Sequence, residues 1–215
     1  MNDNGIALMV LSLISASAQG FSDRTAIEHL ARTANDALEE AVLRNPSRFA
    51  AMAALSMHDP AQAASELRRC MTQKRGFVGC MLNDFQSAGD DGNTMLFYDD
   101  SPTYDVFWAA AEELDALVYI HPRSATPLIQ VQMWEGREQL ACGALGYANR
   151  VNMHALGIIT SGVLDRFPGV RLVLWHIGEH LCVRFAILSV LLLLLYHPPP
   201  TIMNQYAQQI LGANG

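Results

Sequence analysis

Five short apolar runs, beginning near residues 6, 49, 77, 116 and 171, are separated by longer stretches of helical pattern. This alternation limits the fold of the 215-residue chain more than any other feature. Strands that alternate with helix-length segments build a parallel sheet with crossover helices, an α/β architecture. Ile6 to Ser15 reads as the first strand, buried and rich in Ile, Leu and Val. A helix follows, capped by Ser22 or Asp23, with Ile27, Leu30, Ala34, Ala37, Leu38 and Ala41 as its apolar face. Phe49 to Leu55 is the second run; Asp59-Pro60 opens a helix through Ala64, Leu67 and Met71, and Phe77 to Leu82 is the third strand. Gln86 to Thr94 reads as a polar, glycine-rich connection. Pro102 starts a helix through Phe107, Ala110, Ala111 and Leu114, and Ala116 to Ile120 is the fourth strand. A helix near Val151 to Gly162 precedes the fifth strand, Val170 to Trp175. Five βα units suit either an open sheet or part of a barrel, since a complete eight-unit barrel takes about 250 residues. No GxGxxG follows the first run, so a dinucleotide site has no support.

Composition excludes several function classes. Half the residues (51%) are apolar and 16% are charged, which is incompatible with a disordered, solvating chain. A net charge of −7 argues against a general nucleic-acid binder, which needs clustered Lys and Arg on phosphate. Cys70, Cys80, Cys142 and Cys182 are widely spaced, with no CxxC, and point to a reduced, cytoplasmic protein. Ile6 to Ala18 resembles a signal peptide only superficially, because Asp3 stands where such a segment needs positive charge. Phe185 to Tyr196 is too short to span a bilayer, and Arg184 precedes it.

In α/β folds the reactive groups gather at the carboxyl ends of the strands. Here the third strand ends in Asn83-Asp84, the fourth in His121-Pro122-Arg123, and the fifth in His176-Ile177-Gly178-Glu179-His180. An imidazole at a strand mouth can bind a divalent ion or move a proton. His121 and His176 are therefore the leading candidates, with Asn83 and Arg123 as candidate substrate contacts. His180 reads as structural or as a support behind the site residues, and His29, His58 and His154 as solvent or packing residues. Phe97, Tyr98 and Trp108 read as core.

Several segments occur together and in order: Asn45-Pro46-Ser47-Arg48-Phe49, Leu55-Ser56-Met57-His58, Glu66-Leu67-Arg68-Arg69-Cys70, Phe97-Tyr98-Asp99, Tyr119-Ile120-His121-Pro122-Arg123 and His176-Ile177-Gly178-Glu179-His180. From about Asp36 to Leu181 the chain resembles the amidohydrolase-related, metal-dependent aromatic-acid decarboxylases, nearest to the branch that acts on 2,3-dihydroxybenzoate. The resemblance implies an incomplete TIM-like (β/α) barrel of about five βα units, lacking the first and the last two strands. Residues 1–181 would form the partial barrel, and 182–215 a divergent apolar helix and proline-broken tail. It implies non-oxidative decarboxylation of a hydroxylated aromatic acid with one divalent metal ion, zinc or manganese. His121 would be a metal ligand, and His176 with Glu179 the catalytic pair, the carboxylate orienting the imidazole. The family's first-strand Glu-x-Glu or Glu-x-His pair and its eighth-strand aspartate have no counterpart here. Ile187 stands where the family has a substrate arginine. Weak metal binding and impaired decarboxylation are therefore expected of the chain as written. Two other functions fit the same residues: a metal-dependent hydrolase of a cyclic or lactone substrate, and a non-catalytic partner docking through its apolar C-terminal helix. An incomplete barrel should also associate, as a homo-oligomer or otherwise, through exposed apolar surface.

Overall fold

The sheet is wound in one direction only. In the computed structural model, which describes residues 1–14, 17–99, 102–143 and 145–175, five parallel strands lie in their chain order. They are β1 (Met9–Leu11), β2 (Phe49–Ala54), β3 (Phe77–Asn83), β6 (Leu117–His121) and β7 (Arg171–Leu174), and each adds to the same growing edge. A doubly wound sheet reverses its strand order at a switch point, whereas the strands of a (β/α) barrel never do. The described residues all belong to one compact unit, Met1–Ile177. His176, Glu179 and His180, the leucine run and the segment 182–215 lie outside the described residues.

The helices follow from local signals. Helix α1 (Arg24–Arg44) is capped by Asp23, whose carboxylate accepts from Ala26 N at 3.0 Å, a bond worth about 1 kcal/mol. Helix α2 (Pro60–Gln73) has Pro60 in its first turn and Asp59 accepting from Ala61 N at 2.9 Å. Helix α3 (Asp105–Glu113) packs Phe107 and Trp108 into the core. Helix α4 (Pro127–Trp134) is capped by Thr126; α5 (Gly146–Thr160) and the short α6 (Val163–Arg166) lead into β7. One continuous core joins the helices to Ala51, Ala53, Cys80, Leu82, Val118 and Ile120, alternate residues of one sheet face. Asn83 and His121 therefore belong to the opposite face.

Strand β3 reaches its neighbour through a glycine. The β2–β3 register shifts between Ala51 and Met52, and Gly79 takes φ +154°. A Cβ there would stand 2.0 Å from the main-chain oxygen of Leu117, so only glycine lets β3 and β6 pair.

Four sequence expectations are corrected. The first strand is three residues long, and Met9 (40%) and Val10 (42%) are exposed because β1 is an edge strand with one neighbour among the described residues. The buried stripe of α1 is Ile27, Ala31, Asn35 and Val42; Leu30 is 43% exposed. Asn35 enters that stripe because its amide donates to Ala54 O and accepts from Ala54 N, at 2.9 and 2.8 Å, closing the edge of β2 beyond the reach of β1. The glycine-rich connection contains a hairpin, β4 (Gln86–Ala88) with β5 (Thr94–Leu96), turned through Gly89 and Gly92 at positive φ. Helix α5 starts at Gly146, five residues earlier than its apolar pattern indicates.

Candidate active site

The strand ends of the inner face meet at one place. Asn83 and His121 are register partners in the β3–β6 ladder. The Asn83 amide donates to His121 O at 3.2 Å, and Asp84 N donates to the same oxygen at 3.1 Å. Ser17, from the β1–α1 connection, places its hydroxyl 2.6 Å from both Asn83 Oδ1 and Gln19 Oε1. Gln19 is fully buried and donates through its amide to Leu55 O. The connection before α1 is thus tied to the ends of β2 and β3.

The orientation of His121 is fixed by its own turn. Its Nδ1 lies 2.6 Å from Pro122 O; a carbonyl only accepts, so Nδ1 is the donor in this contact. The Trp175 ring lies against this imidazole, with centroids 4.2 Å apart and planes at 37°. Arg123 is buried, with its guanidinium carbon 4.4 Å above the Phe85 ring. Its Nη1 donates to Gln19 O at 2.6 Å and to Ser87 Oγ at 2.9 Å.

Beneath these residues is a buried ion pair that the sequence pattern did not reveal. Arg150 of α5 donates from Nε to Asp84 Oδ2 at 3.0 Å, and from Nη2 to Arg123 O. Asp84 Oδ1 accepts from Arg123 N at 3.0 Å. Burial pushes the Asp84 carboxyl up to about 6, against the opposing pull of Arg150 and Arg123; it remains a carboxylate at neutral pH. His154, on the same helix, is also buried and is held neutral, its pKa lowered to about 3 by burial. Its Nε2 accepts from Tyr98 N at 2.9 Å, and its ring packs on Phe97 and Tyr98, so it is a packing histidine as expected. Asp84 was legible as the residue after Asn83 at a strand end. Arg150 had no such signal, being one polar position in a helix.

The structure therefore brings Asn83, His121 and Arg123 into one bonded neighbourhood, while His176 and Glu179 lie outside the described residues. Among the described residues no group of three His, Cys, Asp or Glu side chains is placed to hold a metal ion. The His121 ring nitrogen Nδ1 lies on a carbonyl, a type of contact that also steers metal-binding imidazoles.

The family model described as amidohydrolase matches residues 2–183. The chain belongs to the amidohydrolase family. This amidohydrolase-family chain is 42% identical over 181 residues to the gamma-resorcylate decarboxylase of Rhodococcus jostii RHA1, covering 83% of itself and 54% of that protein. It is 40% identical to the enzyme of the same name from Rhizobium radiobacter, covering 84% and 54%. Among solved structures, the 2,6-dihydroxybenzoate decarboxylase from Rhizobium superposes with a TM-score of 0.79 at 39% identity, over 84% of this chain and 55% of that one. The dihydroxybenzoic acid decarboxylase of Polaromonas sp. JS666, solved with manganese and 2-nitroresorcinol, gives 0.78 at 36% identity, over 84% and 53%. The chain spans about half the length of the curated relatives it matches. Its sheet is part of a (β/α) barrel, and its relatives are decarboxylases, some solved with manganese. The name of the Rhizobium structure carries 2,6-dihydroxybenzoate, where the sequence pointed to the 2,3 isomer.

Proposed function

We propose that this chain carries a non-oxidative decarboxylation site for a hydroxylated aromatic acid of the dihydroxybenzoate type. The observation that supports this best is His121, a strand-end imidazole whose Nδ1 donates to Pro122 O, beside Asn83 and against Trp175, in a chain about 40% identical to decarboxylases. In the reaction a proton adds to the ring carbon that bears the carboxylate. The bond from that carbon to the carboxyl carbon then breaks; its electron pair restores the ring, and CO₂ leaves. No electrons are gained or lost overall, so no redox cofactor is required.

Within this reading the residues have separate tasks. Trp175 would offer its ring face, packed beside the His121 imidazole, to a flat aromatic substrate. Arg123 uses Nη1 on the protein, leaving its other donors for the substrate carboxylate, and Asn83, buried with its amide on His121 O, would act by holding the strand end. His176 and Glu179 are the proposed proton-delivering pair. A divalent ion would supply Lewis acidity at the carboxylate and the adjacent hydroxyl, with His121 as one ligand. A mononuclear site takes three or more protein ligands. The donors among the described residues fit one coordination position and not a whole site, so no step is routed through the ion.

The same reading places the protein in a reducing compartment, the cytoplasm, on its free Cys70, Cys80 and Cys142. No helix among the described residues is long and apolar enough to cross a membrane. Association with a second copy is part of it too, supported by the exposed Leu128, Val131 and Met133 of α4. The deciding assay offers the full chain 2,6- and 2,3-dihydroxybenzoate with Mn²⁺, alongside an aromatic lactone. Release of CO₂ with the matching dihydroxybenzene supports the proposal; lactone opening without CO₂ favours the hydrolase.

A further inference from the structure

The turn that carries His121 is held by main-chain bonds, and most of them come from one buried ion pair. His121 O receives two donors, Asp84 N and the Asn83 amide. Arg123 N donates to Asp84 Oδ1, and Arg123 O accepts from Arg150 Nη2. Arg150 Nε, in turn, bonds Asp84 Oδ2 at 3.0 Å. Both main-chain groups of Arg123 thus end on the pair. Between the two clamped residues lies Pro122, whose carbonyl takes the Nδ1 proton of His121. Pro122 has no N–H of its own, so the orientation of that carbonyl depends on the bonds made on either side.

The pair belongs to different parts of the chain. Asp84 follows β3 and Arg150 sits on α5, 66 residues later. It is buried, Arg150 to 8% exposure and Asp84 completely. Ion pairs this deep are often replaceable by apolar residues of the same volume without loss of stability. That makes a role in geometry the better account of this one.

We propose that the Asp84–Arg150 pair is a positioning device: it clamps the His121–Arg123 turn and so fixes the tautomer and aim of the His121 ring. Neither residue touches the substrate; both act through the turn. The inference builds on the decarboxylation site proposed above, but its test does not depend on activity.

The experiment uses the full 215-residue chain labelled with ¹⁵N-histidine and reads the ring nitrogens by long-range ¹H–¹⁵N correlation. The His121 signals are assigned by their loss in His121→Ala. In the wild type, Nδ1 reads as protonated and Nε2 as bare. In Arg150→Met the two nitrogens move toward each other, as the ring samples both tautomers. Arg150→Lys, which restores the charge beside Asp84 but cannot bridge to Arg123 O, lies between them. Arg69→Met serves as the control, since it removes the ion pairs to Glu66 and Asp36 and leaves the His121 pattern unchanged. With 2,6-dihydroxybenzoate, Arg150→Met lowers kcat by about tenfold or more while KM shifts less, the range seen when groups behind a functional imidazole are lost. A folded Arg150→Met with the wild-type His121 pattern overturns the proposal. If Arg150→Met does not fold, Asp84→Asn reads the same clamp, and an unchanged pattern there overturns it equally. A shifted pattern in Arg150→Met, together with a wild-type chain that releases no CO₂, upholds the clamp and refutes the decarboxylation site instead.

Discussion

Asn83 donates its side-chain amide to the main-chain oxygen of His121, 3.2 Å away, across the register pair at the end of β3 and β6. The bond joins the two strand ends that frame the site, and Ser17 meets the other end of the same amide at 2.6 Å. Asn83→Asp exchanges the donor for an acceptor in a fully buried place, facing the His121 oxygen. A buried group left without its partner costs about 1–3 kcal/mol, more when charged. Chemical denaturation should show Asn83→Asp destabilised by at least that much at neutral pH. It should show a smaller loss near pH 4, where the new carboxyl is protonated and can again donate.

Gly79 is the backbone requirement of the sheet. An alanine Cβ would meet the Leu117 carbonyl at 2.0 Å, a main-chain contact that no side-chain rotation relieves. Gly79→Ala should therefore cost on the order of 3 kcal/mol or more, the upper range for strain at such a position. The thermal midpoint of the purified variant checks this, and a midpoint equal to the wild type would refute the close approach.

Two helices are pinned by a cluster at their exposed seam. Asp36 of α1 meets Lys74 at 2.7 Å and Arg69 at 2.8 Å. Hydrogen bonds from Lys74 and Arg69 pull its carboxyl down from 3.8 to about 2. A depressed folded pKa adds stability that is present above about pH 4 and lost as pH falls through about 2. Asp36 is half exposed, so solvent screening limits the contribution to about 1 kcal/mol. Urea midpoints for the wild type and Asp36→Asn should differ at pH 6 and converge near pH 2.

What the sequence made legible tracks how each element is buried. Strands β2, β3 and β6 were readable because central parallel strands are apolar on both faces, and β7, which pairs only with β6 among the described residues, from its Leu172-Val173-Leu174 run. Edge strand β1 has an equally apolar run, but periodicity does not report how many neighbours a strand has, so Val10 was expected inside and is exposed. Polar residues with buried tasks were invisible for a related reason. Asn35 and Arg150 sit in helices where a polar residue normally marks the solvent side, yet one closes the edge of β2 and the other pairs with Asp84. At the candidate site, strand-end position singled out Asn83 and His121, because reactive groups gather at the carboxyl ends of parallel strands, and the structure makes the two register partners. The clamp behind them depends on a contact 66 residues apart in the chain, which no local pattern encodes.

His121→Ala probes the metal side of the proposal separately. If His121 is a ligand as proposed, its removal should weaken Mn²⁺ binding by roughly tenfold or more. Titration calorimetry with Mn²⁺ alone reads this directly. An unchanged affinity would assign the ion, if it binds, to other residues.

The central claim is decarboxylation at the site that contains His121. The most direct measurement follows 2,6-dihydroxybenzoate in the presence of the chain and Mn²⁺, quantifying resorcinol and CO₂ together. The account predicts both products in equal amounts, above the uncatalysed rate, and a rate at least about 100-fold lower in His121→Ala, as for loss of a residue at the reacting centre. Product formation that His121→Ala leaves unchanged, or substrate consumed without CO₂, would contradict it.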